Sequence, residues 1–270
     1  MSRISAAFQR SQAAGRMAFM PFITAGDPDL LTTRQVLRAL RDADVDLIEL
    51  GFPYSDPIAD GPVIQASYTR ALNNGVKVGE ILDLVASLKS EQMPPLLAMV
   101  SFAIVFRYGT GLFAAKAAAS GFSGLIIPDL PADEADEMAV HARANGLDLI
   151  QLIAPTTSES RARQILSVSS GFVYCISVAG TTGVRRELPP ELTSQLLELR
   201  HLTDLPLAVG FGISSPDQVQ SLSGVADGVI IGSAIVRRAA LAATPDQAAA
   251  DVGAFAREMS AAIAAAAGPG

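Results

Sequence analysis

Residues 46–62 read "DLIELGFPYSDPIADGP", a short aliphatic run followed by a proline-rich loop that carries Asp56 and Asp60. Apolar residues that do not alternate with polar ones mark a strand buried on both faces, as in a parallel sheet. Runs of this kind recur on both sides of it: "MAFMPFITAG" (17–26), "PLLAMVSF" (95–102), "GLIIPD" (124–129), "LDLIQLIAP" (147–155), "FVYCISV" (172–178), "PLAVGFG" (206–212) and "GVIIGSA" (228–234). Helical patterns lie between them, among them 29–43, 132–146 and 191–202. Eight strands alternating with helices favour a closed (β/α)8 TIM barrel of the α/β class over an open doubly wound sheet. The expectation is one domain over residues 1–270 with an additional N-terminal helix, because "MSRISAAFQRSQAAGR" (1–16) reads as short and amphipathic. The C-terminal "AAIAAAAGPG" reads as a fraying alanine helix.

Composition narrows the class. Half of the residues are hydrophobic, 17 % are charged and the mean hydropathy is +0.35, which excludes a disordered chain. The apolar run "LLAMVSFAIVF" (96–106) is too short to span a membrane. Cys175 is the only cysteine, so an internal disulfide and a cysteine metal cluster are excluded. A net charge of −7 argues against a nucleic-acid face. A cytoplasmic metabolic protein is expected.

In a (β/α)8 barrel, functional residues sit at the C-terminal ends of strands. Glu49, Asp129, Tyr174, Gly212 and Ser233 occupy such positions. The glycine-bearing turns "AGTTG" (179–183), "GFGIS" (210–214) and "IGSA" (231–234) follow strands six, seven and eight, where barrel enzymes commonly hold a phosphate on backbone N–H groups. Ser233 serves either as a helix cap or as a hydroxyl for that phosphate. The three lysines (Lys77, Lys89, Lys116) and two histidines (His141, His201) fall on helices or their connections. A Schiff-base lysine and a histidine-bound metal therefore lack candidates.

Carboxylates remain. Glu49, between Ile48 and Leu50, is a candidate proton donor or base raised in pKa by burial. Asp60, in what reads as a polar loop, is expected to stay ionised and to bind a cationic or N–H-bearing part of a substrate. Asp27 in "AGDPD" reads as a helix N-cap. On residues alone the chain is a metal-free, phosphate-binding barrel with acid/base carboxylates.

Taken in order, "PFITAGDPD", "ELGFPYSDPIADGPVIQ", "PDLP", "GTTG", "GFGIS" and "GSAIV" resemble the tryptophan synthase α chain over nearly the whole sequence. The resemblance implies a lyase that cleaves indole-3-glycerol phosphate to indole and glyceraldehyde 3-phosphate by a retro-aldol reaction without a cofactor in this chain. It implies a β-chain partner that holds pyridoxal phosphate, in an α-β-β-α heterotetramer. By the same resemblance, Glu49 moves protons and Asp60 binds the indole N–H. Tyr174 and Thr182 position these acids, and Gly183, Gly212, Gly232 and Ser233 hold the phosphate. Phe22 and Phe211 wall the indole pocket, and Pro53, Asp56 and Pro57 face the partner. The chain departs from the family at Ser101, Phe102, Ala103 and Ile104, where Tyr, Tyr, Asn and Pro are common, and at Ala179-Gly180-Thr181. A stand-alone lyase that releases free indole and a weakly catalytic regulatory subunit are the alternatives.

Overall fold

The computed structural model describes residues 1–58, 60–176, 190–210, 212–213 and 215–266. Eight parallel strands close a barrel in sequential order: β1 (Ala18–Thr24), β2 (Ile48–Gly51), β3 (Leu96–Met99), β4 (Phe122–Ile126), β5 (Asp148–Ile153), β6 (Val173–Ile176), β7 (Leu207–Gly210) and β8 (Gly228–Ile231). Seven lie within runs expected from the sequence, and β4 begins two residues ahead of its run, at Phe122 rather than Gly124. β1 closes the ring by pairing with both neighbours, Phe22 opposite Glu49 and Ala18 opposite Gly228. All seven β1 residues are buried, which is why its sequence shows no alternation.

The outer ring is formed by α2 (Leu30–Asp42), α3 (Pro62–Asn73), α4 (Val78–Ser87), α5 (Phe102–Tyr108), α6 (Thr110–Ser120), α7 (Ala135–Ala144), α8 (Glu159–Val168), α9 (Pro190–Arg200), α10 (Pro216–Gln220), α11 (Ser233–Leu241) and α12 (Pro245–Ala266). Proline at the first position of α3 fits a helix start, where its missing N–H has no intrahelical partner. The alanine-rich end is part of a 22-residue helix. Ile263 is buried there, so the helix is packed to near its end.

The N-terminal helix, α1 (Arg3–Ala13), plugs the bottom of the barrel. Ile4 is fully buried, and a Cβ on Gly124 would lie 2.8 Å from its Cδ1. Phe8 packs on Phe172 with ring centroids 5.4 Å apart and would crowd a side chain at Gly228. Absent side chains on two strands thus make room for two apolar side chains from one helix. Beside the plug, Asp46 takes Arg16 in a forked pair, with N–O distances of 2.6 and 3.0 Å. It also accepts from Ser11 Oγ and the Phe19 N–H.

One local expectation is corrected. Asp29, and not Asp27, caps α2, accepting from the Thr32 N–H at 2.7 Å. Asp27 is buried and takes both Nε and Nη2 of Arg70, at 2.8 and 2.7 Å.

Candidate active site

Alternation along β2 sends Ile48 and Leu50 outward into the core beneath the helices, and Leu47 into the barrel. Glu49 therefore enters the interior with 0 % exposure. Neither carboxyl oxygen has a hydrogen-bond partner, and no ion pair reaches it among the described residues. Burial alone pushes its pKa up to about 8. At neutral pH this carboxyl is mostly a neutral acid, a state suited to proton donation.

Asp60 lies just ahead of α3. The sequence suggested a polar, open loop; in the structure the side chain is buried, 8 % exposed. The loop folds back on itself, with the Asp60 N–H donating to the Pro57 carbonyl at 3.1 Å. Gln65 Nε2 clamps the same turn through the carbonyls of Asp60 (2.8 Å) and Pro57 (3.1 Å). Burial raises the Asp60 pKa to about 6, against the opposing hydrogen bond from the Tyr54 hydroxyl. The two acids are therefore split: near pH 7 Asp60 is largely ionised while Glu49 holds its proton.

Three of the four tyrosines in the chain surround this pair. Tyr54 and Tyr68 pack with ring centroids 5.3 Å apart. Tyr68, from α3, and Tyr174, from β6, are buried, and their phenols are held well above the ordinary range by desolvation and then by the charges of the carboxylates. Sequence reasoning placed Tyr174 here but missed Tyr54 and Tyr68. A tyrosine on an amphipathic helix looks like an ordinary core residue. The available signal was the clustering of so scarce a residue type around the acid-bearing loop.

Two glycines set the room inside. A Cβ on Gly51 would meet the Phe22 ring at 2.5 Å and the Tyr68 hydroxyl at 3.0 Å; one on Gly210 would collide with the Tyr174 ring and hydroxyl. Phe22, buried on β1, also lies beside Gly232, 3.5 Å from where a Cβ would stand. Phe22, Glu49, Tyr68 and Tyr174 thus share the upper barrel. Thr182, Gly183 and Phe211 lie outside the described residues.

At the ends of the adjacent strands β7 and β8, Gly212 has a φ of +86° with open space where a Cβ would be. Gly232 is the N-cap of α11 and supplies no side-chain cap, while Ser233 is the first helical residue and is exposed. Ser233 is therefore not the cap. The first-turn N–H groups of α11 begin at the rim, the arrangement that attracts an anion.

On the β2–α3 loop, Asp56 is exposed, Pro57 half-buried and Ile58 83 % exposed, whereas Pro53 is buried and anchors the loop from below. Across the rim, Ser101 Oγ and the Phe102 N–H both donate to Asp129, at 2.6 and 2.7 Å, so Asp129 fixes the start of α5. Among the described residues no cluster of His, Cys, Asp and Glu is arranged to hold a metal ion, and no helix is long and apolar enough to cross a membrane.

Residues 8–264 match the family model described as the tryptophan synthase alpha chain. A tryptophan synthase alpha chain of Gloeobacter violaceus is 46 % identical over 95 % of this chain and 93 % of its own length. That of a Synechocystis strain is 44 % identical over 97 % of this chain and all of its own. Among solved structures, tryptophan synthase subunit alpha of Legionella pneumophila superposes with a TM-score of 0.88 at 34 % identity, covering 97 % of this chain and 98 % of that one. A tryptophan synthase of Mycobacterium tuberculosis superposes with a TM-score of 0.86 at 35 % identity, covering 97 % and 98 %. The chain belongs to the tryptophan synthase alpha chain family, the lyases of tryptophan biosynthesis that cleave indole-3-glycerol phosphate.

Proposed function

We propose that Glu49 and Asp60 carry the cleavage of indole-3-glycerol phosphate between them, in a retro-aldol reaction that draws on no cofactor in this chain. The observation that carries the assignment is the split of the two buried acids, one held near 8 and unpaired, the other near 6. Neutral Glu49 gives its proton to indole C3. The positive charge that develops on the ring nitrogen is stabilised by ionised Asp60, which accepts the N–H. The Glu49 carboxylate, now in a dry site, takes the proton of the glycerol hydroxyl next to the scissile bond. The carbon–carbon electrons return to the ring, releasing indole and glyceraldehyde 3-phosphate, and Glu49 ends protonated as it began.

Phe22 and Phe211 wall the indole, Tyr174 and Thr182 orient the acids, and Gly183, Gly212, Gly232 and Ser233 hold the phosphate. The open space at Gly212 and the helix start at Ser233 support that last assignment. The enzyme works in the cytoplasm with a β chain that carries pyridoxal phosphate, in an α-β-β-α assembly. Asp56 and Pro57 form the docking loop, stiffened by Pro53 beneath them. Ala103 and Ile104 stand where the family commonly has Asn and Pro, which supports a second reading: a lyase that releases indole without a partner.

Indole release measured against added β chain separates the two. A saturable rise is expected for the α subunit. A flat response at full basal activity identifies the stand-alone lyase, and no indole release under either condition rejects both.

A further inference from the structure

The loop after β2 brings a phenol to the second carboxylate, and the chemistry above makes no use of it. Tyr54 is half-buried, its hydroxyl donates to Asp60 Oδ2 at 3.3 Å, and its ring is seated on Tyr68. On the other side, Gln65 fixes the backbone of the same turn. The geometry points to Tyr54 as a positioning residue for Asp60, a hydroxyl that orients the carboxylate toward the indole N–H and keeps it anionic. This inference rests on the reading of Asp60 given above.

Asp60 has no cation paired with it among the described residues. The ionisable groups that sense its charge or Tyr54's are Tyr68 from α3, Tyr174 from β6 and Asp129 beyond β4. All are acids. A buried carboxylate in such company is held anionic by hydrogen-bond donors rather than by an ion pair. Tyr54 supplies one donor that does not titrate in the working range, because burial and the nearby carboxylates push its phenol above the ordinary tyrosine value. The hydroxyl bond acts against the upward push of desolvation on Asp60. It also leaves the second carboxyl oxygen to accept from the substrate, since Oδ2 is the atom already engaged.

The test compares wild type, Tyr54→Phe and Tyr54→Leu in the full chain. Asp60 is titrated by NMR of carboxyl-labelled aspartate, and kcat/KM is measured against pH. Without the hydroxyl, the Asp60 midpoint is expected to rise by about half a pH unit or more, and the acid limb of kcat/KM to move up with it. The alkaline limb stays, and the melting temperature of Tyr54→Phe stays near wild type because the ring remains on Tyr68. An unmoved Asp60 midpoint overturns the proposal. So does a Tyr54→Phe enzyme that behaves as wild type while Tyr54→Leu is impaired, because ring packing then accounts for the residue. Asp60→Asn is measured alongside. Full turnover there overturns the reading of Asp60 and with it the catalytic half of this one. An inactive Asp60→Asn beside an unshifted Tyr54→Phe overturns only the role of Tyr54.

Discussion

Asp46 and Glu49 stand three residues apart on one stretch of chain, both almost fully buried, and they are treated in opposite ways. Asp46, at the bottom of the barrel, takes hydrogen bonds from Arg16, Ser11 and the Phe19 backbone. Glu49, at the top, takes none. A buried carboxylate with a full set of donors closes the junction between α1, β1 and β2, and serves the fold. A buried carboxyl with no donor costs stability, and a fold keeps one where its proton is needed. The bottom of this barrel is built for permanence and the top for chemistry, in line with the general division of barrel enzymes.

Glu49→Gln separates the two ends of the barrel most sharply. The amide keeps the shape and removes the proton, so indole release should fall by about 10²–10⁴-fold. Binding of glycerol phosphate should survive, and the melting temperature should not drop, since no hydrogen bond is lost. Turnover within a factor of two of wild type would remove Glu49 from the mechanism. Asp46→Ala should do the reverse. It leaves Arg16 Nη2 and the Phe19 N–H without their acceptor and strips the half-buried guanidinium of its counter-charge, at a cost of about 3 kcal/mol, which lowers the melting temperature by several degrees. Indole release by the folded variant should stay near wild type. A loss of turnover with no loss of stability would cancel the division between the two ends.

The legibility of the chain followed the same division. The eight strands could be read because burial on both faces removes polar residues from them, a constraint written locally. The acid at the end of β2 could be read for the same reason. Asp27 could not: its partner, Arg70, is 43 residues away, and only the folded chain brings them together. Asp60 looked solvated because its own loop is polar, whereas the residues beside it are Tyr54 and Tyr68, one from the loop and one from a helix. Pro53, which the resemblance turns toward a partner, is buried beneath the loop after β2. Local pattern reveals which face a strand buries; it does not reveal what covers a loop.

Stability against pH sharpens the contrast further. The Glu49 pKa is raised from 4.5 to about 8, and that of Asp60 from 3.8 to about 6. A carboxyl that holds its proton more tightly when folded contributes stability that is complete below the unfolded value. That contribution is lost as pH rises through the folded one. Wild type should therefore lose stability between about pH 5 and pH 8 relative to Glu49→Gln, by a few kcal/mol at most. Parallel curves for the two proteins would mean that Glu49 is not desolvated. The smallest effect is expected at the proposed phosphate end. Valine at Gly212 meets no neighbour among the described residues, but it must adopt a φ of +86°. The resulting strain should shift the turn and raise KM by about tenfold with kcat little changed. An unchanged KM would place the phosphate elsewhere.

Burial holds Glu49 as a neutral acid ready to give up its proton, and infrared difference spectroscopy reads that state directly. Wild type at pH 6.5, compared with Glu49→Gln, should show the carbonyl band of a protonated carboxylic acid. Raising the pH should bleach it with a midpoint near 8. A carboxylate band already present at pH 6.5, with no protonated acid assignable to Glu49, would contradict the account.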